Sequence, residues 1–423
     1  MRPAHIAALS VALFACLGGG AAAQNLVIAN ARIIVGDGRV IEKGALVVRE
    51  GRIASVASGP APTTPKGATR IDAAGMTLIA GYIDDHRHLI QGRSPADADR
   101  FMKEQAADRM RELLEAGFTT VQSGGDNNAA ILELKRKVES GEIKGPRIIA
   151  SGQVPTARLT SEAEVRAAVD KVIMDGADSI AEVHYPDVVW PFNPTEQETR
   201  NLAAGIDEAR KRNVPFQVHA VSDLSLVAAV RLGARKLVHS VNINWVTAAQ
   251  AKEVGASGAQ VASITGFGSP NFEVFSHDNQ PKFRDGKPWP AGVIDSQGVG
   301  QEAGYMPVNL RTLYDNGVAV SFATDTTFYA PAALAHELKS LNLVFSPIDL
   351  VKIMGPNSAR FVDREGDIGT LEPGKLGDIV VLAGNPLDGY WNFLTAVVVV
   401  KGGVVMVDKR GQPDAGNPKW KVP

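Results

Sequence analysis

A single cysteine, Cys16, stands among 423 residues, so no intrachain disulfide can brace this fold. Net charge is nearly absent too. The chain has 44 Lys+Arg against 46 Asp+Glu, a balance of −2, which lacks the positive excess a nucleic-acid surface requires. Long apolar runs are missing except near the N terminus, where Ile6 to Leu17 falls short of the roughly 20 residues that span a bilayer. The 42 Gly and 24 Pro are scattered, which excludes collagen-like and low-complexity chains. What is there is a 45% hydrophobic chain long enough for a large core. An α/β barrel of about 250 residues fits within it as one unit.

Arg2, the apolar stretch Ile6 to Leu17, and the small residues ending Ala21-Ala22-Ala23 have the order of a secretory signal peptide over residues 1–23. The expectation is an exported protein, periplasmic or secreted, with no integral membrane segment after signal removal. Leu13-Phe14-Ala15-Cys16 loosely matches a lipoprotein cleavage site, with Phe14 out of place. Anchoring at Cys16 is the less favoured reading.

Short β-runs occupy both ends of the mature chain: Leu26-Val27-Ile28, Arg32 to Val35, Ala45 to Val48 and Ile53 to Val56, then Asp378 to Leu382, Ala396 to Val400 and Val404 to Val407. Turn signals such as Gly36-Asp37-Gly38 and Glu50-Gly51 separate them. One small β-sandwich built from residues 24–76 and 364–423 is expected. Between them, residues 77–363 alternate strand runs with amphipathic helices. Ala98 to Ala116 reads as a helix, and so does Ser161 to Asp175, where Ser161 and Glu164 resemble a capping box. The strand runs are Thr77 to Ile83, Phe118 to Val121, Ile148 to Ala150, Ser179 to His184, Val214 to His219, Lys236 to His239, Gln260 to Ile264 and Val318 to Ala323. Eight such units describe an α/β fold of the (β/α)8 TIM-barrel kind, whose reactive groups gather at the strands' C-terminal ends. A doubly wound open sheet has the same pattern. No phosphate loop or dinucleotide fingerprint is present.

His86, His88, His219 and His239 all fall at expected strand ends, and His184 does so as well. His86 and His88 are two apart, so on a strand they face one way. A barrel would bring these four and Asp325, in Ala323-Thr324-Asp325, to one mouth. Neutral imidazole is a common ligand for zinc and related ions.

These segments resemble the amidohydrolase superfamily, most closely its imidazolonepropionase-like branch of cyclic-amide hydrolases and metal-dependent dipeptidases. Gly81-Tyr82-Ile83-Asp84-Asp85-His86-Arg87-His88-Leu89 is similar to the first-strand signature, and Ala116 to Val121 to the second-strand run. Val218-His219-Ala220, Leu237-Val238-His239-Ser240 and Phe322-Ala323-Thr324-Asp325 are similar to strands five, six and eight. Asn357 to Arg360 and Gly369 to Leu382 resemble the return into the sandwich.

The resemblance implies one or two divalent ions, zinc first among them. His86, His88 and Asp325 would bind the buried ion, and Asp325 would take the proton of the attacking water. His219 and His239 would hold a second ion or orient water and carbonyl. It implies hydrolysis of an amide or other C–N bond in a small-molecule or dipeptide-like substrate, and a homo-oligomer by family habit. A lactonase or ester hydrolase, a deaminase, and a non-catalytic small-molecule-binding barrel remain as alternatives.

Two departures stand out. The strand-four lysine that bridges two metals in many members is Ala181 here, followed by Glu182. Alternation puts these two on opposite faces. Glu182 is therefore a ligand only if a bulge turns it inward or if the inward set is Glu182 and His184. His184 is then a ligand or a substrate contact. The tyrosine that often follows the fifth-strand histidine in prolyl dipeptidases is absent from His219-Ala220-Val221-Ser222. The aromatic stretch Phe267 to Pro290 reads as a lid over the site, in which His277 would contact a substrate with an apolar or aromatic portion, or as a surface loop packing its own rings.

Overall fold

The computed structural model describes residues 25–90, 94–186, 194–266, 305–326 and 329–412. The leader, Cys16, His277 and the stretch Phe267 to Pro290 lie outside the described residues.

The first five strands are β1 (Leu26–Ile34), β2 (Val40–Arg49), β3 (Arg52–Ser58), β4 (Thr69–Asp72) and β5 (Thr77–Ala80). With the last three, β15 (Ile379–Leu382), β16 (Ala396–Lys401) and β17 (Val404–Asp408), they form one eight-stranded ladder. Its order is β17-β16-β15-β5-β1-β2-β3, with β4 also on β1. The two runs expected at Leu26 and Arg32 are one strand. It is irregular around Asn30, which has φ 61° and shifts the register against β2. Alternate residues Leu26, Ile28, Leu46, Val48, Ile379 and Val381 gather in an aliphatic core separate from the barrel's.

Between these ends lie the barrel strands: β6 (Tyr82–Arg87), β7 (Phe118–Ser123), β8 (Arg147–Ile149), β9 (Ser151–Gly152), β10 (Ser179–His184), β11 (Phe216–His219), β12 (Lys236–Val238), β13 (Gln260–Ala262) and β14 (Ala319–Ser321). All neighbouring pairs are parallel. β8 and β9 are one barrel strand kinked at Ala150, whose N–H donates to Asp178 Oδ2 at 2.7 Å. The ring closes where Asp85 N donates to Phe322 O at 3.0 Å and Asp325 N to His86 O at 2.8 Å. Closure removes the open-sheet alternative.

Three expectations change. The run Thr77 to Ile83 is two strands: β5 pairs with β1 and β15 in the terminal ladder, and only β6 enters the barrel. The break falls at Gly81, where an added Cβ would lie 2.2 Å from Thr119 Oγ1. The helix Ala98 to Ala116 is also two, Pro95–Glu104 and Ala106–Ala116, because Gln105 leaves helical geometry at φ −127°. The capping box at Ser161 is half formed. Ser161 Oγ accepts from Glu164 N, but the Glu164 carboxylate accepts from Thr160 instead.

Along the strands, Tyr82, Phe118, Val121, Val218, Leu237 and Val261 pack outward in the large core that includes helix residues such as Met110 and Leu134. Ile83, Ile149, Val238 and Ala262 pack in a separate cluster within the ring. Among the described residues no helix is long and apolar enough to cross a membrane.

Candidate metal centre

Parallel strands place their C-terminal ends at one mouth, so a residue ending each strand meets the others there. His86 and His88 come from the end of β6, Glu182 and His184 from β10, and His219 ends β11. His239 follows β12, and Asp325 lies four residues beyond β14. The backbone turns sharply at two of them: His239 has φ 74° and Asp325 φ 46°, conformations that non-glycine residues rarely adopt. Ile264, just past β13, also has positive φ, at 47°.

The side chains converge. Asp325 Oδ1 lies 3.4 Å from His86 Nε2 and 3.1 Å from His88 Nε2. Asp325 Oδ2 is 3.6 Å from His239 Nε2. Glu182 is within 3.8 Å of His88 Nε2, 3.4 Å of His219 Nδ1 and 3.7 Å of His239 Nε2. His184 Nε2 is 3.7 Å from Glu182 Oε1, at the edge of the group. Two sets of potential ligand atoms emerge: His86, His88, Glu182 and Asp325, and then Glu182, His219 and His239. Glu182 belongs to both.

That position settles the strand-four ambiguity. The register of β10 against β11 slips between Ile180 and Val183, and this irregularity turns Glu182 inward beside the buried Ala181.

The fit to a metal rests on orphaned donors. Neither ring nitrogen of the fully buried His86 has a hydrogen-bond partner, nor does Asp325 Oδ1. Buried polar atoms are normally satisfied. Two donors held at about 2.1 Å by a tetrahedral ion would lie about 3.4 Å apart, the spacing found here. A mixed imidazole–carboxylate set of this kind suits zinc and related divalent ions.

Electrostatics polarise the group further. Burial alone would lower the imidazoles of His86 and His88, yet Asp325 lifts His86. Asp126 and Asp325 together push His88 up to about 11. Burial and the neighbouring His239 bring His219 down to about 4. Burial acts to raise Glu182, but His184, His219 and His239 hold its carboxyl far below the usual range. His86 and His88 do the same for Asp325 against its own burial. Ionised carboxylates and a neutral His219 are the forms that ligate cations.

Two residues outside the expected set support the candidate ligands. Asp126 accepts from Leu89 N at 3.0 Å and Ile90 N at 3.2 Å, with its Oδ1 3.6 Å from His88 Nδ1. It pins the loop after β6 and backs that imidazole. Asp84 accepts from Thr324 N at 3.1 Å and Thr324 Oγ1 at 2.6 Å, and so fixes the turn that presents Asp325. Gly124 clears space for the site, since a Cβ there would sit 2.8 Å from His86 Nε2. Nothing marks Asp126 in the sequence, where it follows Gly124-Gly125 as an ordinary turn residue. Asp84 lies in the quoted first-strand segment, but its partner is 240 residues away. A cavity of about 1000 Å³ opens beside the cluster, lined by His88, Glu182 and His184 together with Asp126, Gln153 and Arg158.

The chain matches the amidohydrolase family model over residues 77–243 and 308–412. It is 25% identical over 374 residues to an imidazolonepropionase of Porphyromonas gingivalis, a match covering 82% of this chain and 84% of that one. Among solved structures it is similar to a prolidase complexed with N-methylphosphonate-L-proline, at 24% identity, TM-score 0.71, and coverage of 90% and 99%. It is also similar to molinate hydrolase, at 17% identity, TM-score 0.76, and coverage of 93% and 97%. The latter two likenesses concern the fold. A closed parallel barrel with clustered histidines and carboxylates at its C-terminal mouth, matched over most of its length by one family model, makes this chain a member of the amidohydrolase family.

Proposed function

We propose that the protein hydrolyses an amide or other C–N bond of a small molecule, with His86, His88, Glu182 and Asp325 holding one divalent ion and Glu182, His219 and His239 holding a second. The observation that carries this reading is the shared position of Glu182 in both ligand sets. Glu182 would serve both ions, which the Ala181 side chain cannot do. A divalent ion held there would lower the pKa of a bound water from 15.7 toward about 7 and polarise the scissile carbonyl.

The residues' own work follows from their placement. Asp325, ionised and backed by Asp84 through Thr324, takes a proton from the attacking water at a carboxylate oxygen. It then delivers that proton to the departing nitrogen as the C–N bond breaks, leaving an amine and a carboxylic acid that ionises to solvent. Were only one ion held, His239, 3.6 Å from Asp325 Oδ2, would instead orient the water and the carbonyl. His184 faces the adjoining cavity and contacts the substrate beside the reacting bond. Zinc is the ion the donor set favours. The leader-like residues 1–23 are the support for placing this activity outside the cytoplasm.

A hydrolysis screen over N-acyl amino acids, dipeptides, cyclic amides and lactones tests the reading, run on protein as purified, after chelation, and after zinc is returned. Turnover of a C–N substrate that is lost on chelation and restored by zinc is expected. Turnover indifferent to chelation, or confined to lactones, would overturn it.

A further inference from the structure

At the opposite end of the barrel lies a second cavity, of about 820 Å³. Arg147 and Lys236, the first residues of β8 and β12, and Ser179, which opens β10, line it, so it faces the strands' N-terminal ends. Seven basic side chains line it against three acidic ones, alongside apolar Ile148, Val214 and Phe216. All three acids are already engaged, Glu139 by Lys135 at 3.9 Å. Lys135 holds Asp178 at 2.7 Å and Lys236 holds Asp363 at 2.8 Å.

Two of the cations have no such match. Lys401 Nζ donates to Gly145 O at 2.6 Å, and Arg235 donates to Val230 O and Ala234 O. Among the described residues neither has a carboxylate within 4 Å. Arg147 lies against Asp378 at 2.7 Å, so Arg147 and Lys401 share that single buried negative charge. Burial and the positive charge of Arg147 accordingly push the Lys401 ammonium below its ordinary range. Lys401 is half-buried with only a shared counter-charge, which is costly, and a bound anion reduces that cost, while the exposed Arg235 adds a second positive charge to the same cavity.

We propose that this basal cavity binds a small anionic molecule with an apolar portion, its charge set between Lys401 and Arg235 and its body against Val214 and Phe216. The cavity stands apart from the metal centre, so its occupant is not the molecule that reacts there, and the inference does not depend on the reaction proposed above.

The test is calorimetric titration of the full-length purified protein with phenyl phosphate, beside the variants Lys401→Met and Arg235→Met. Wild type is expected to bind, and each variant to bind about tenfold more weakly or worse, with turnover unchanged. Phenyl phosphate bound at the metal centre instead would leave both variants' affinities equal to wild type, and that result overturns the proposal. So does absence of binding to wild type at millimolar probe. Should Lys401→Met fail to fold, the exposed Arg235→Met decides the question alone.

Discussion

The terminal β domain and the barrel mouth bury their side chains on opposite terms. In the first, Leu26, Ile28, Leu46, Val48 and Val398 pack in a core of aliphatic groups, and transfer of apolar area from water accounts for it. In the second, His86 and His239 lie within 4 Å of Asp325 and His239 within 4 Å of Glu182, and His86 and Asp325 keep buried donors and acceptors unsatisfied. Nothing in folding alone rewards that arrangement. The comparison separates what holds the molecule together from what it is for: the cost at the mouth makes sense once a cation completes the set.

The largest effect that can break this contrast is at Asp325. Asp325→Asn is expected to lower turnover by about 10²–10⁴-fold with the thermal midpoint little changed. Steady-state kinetics beside a melting curve would check it, and a large loss of stability with turnover intact would merge the two regions. Leu46→Ala is the reciprocal test. It is expected to cost about 2–5 kcal/mol in denaturant unfolding, with turnover per folded molecule unaltered. A smaller effect sharpens the picture. Asp126→Asn, which weakens the backing of His88, is expected to loosen metal retention about 10–100-fold in competition against a chelator. Unchanged retention would make Asp126 a clasp for the loop and nothing more.

Much of this was legible in the chain. The histidines at strand ends could be read because a barrel strand's terminal residue has one destination, and Asp325, four residues past its strand, through the likeness of Phe322-Ala323-Thr324-Asp325 to the family's eighth-strand segment. The eight strand runs could be read for the same reason, since buried parallel strands are continuous apolar runs. What stayed open, or escaped, was set by single-residue departures from period. The inward turn of Glu182 depends on a slip between Ile180 and Val183 that alternation cannot foresee. The break at Gly81 depends on the proximity of Thr119, a contact 38 positions away in the chain. Asp126 backs His88 through space, and a lone aspartate after two glycines has no pattern to announce it.

The most direct test of the central claim is anomalous diffraction at the absorption edge of whichever metal the purified protein retains. The expected result is a peak about 2.0–2.2 Å from His86, His88 and Asp325, with Glu182 reaching toward a second peak bounded by His219 and His239. Protein that retains no metal and takes none up, or peaks lying away from this mouth, would contradict it.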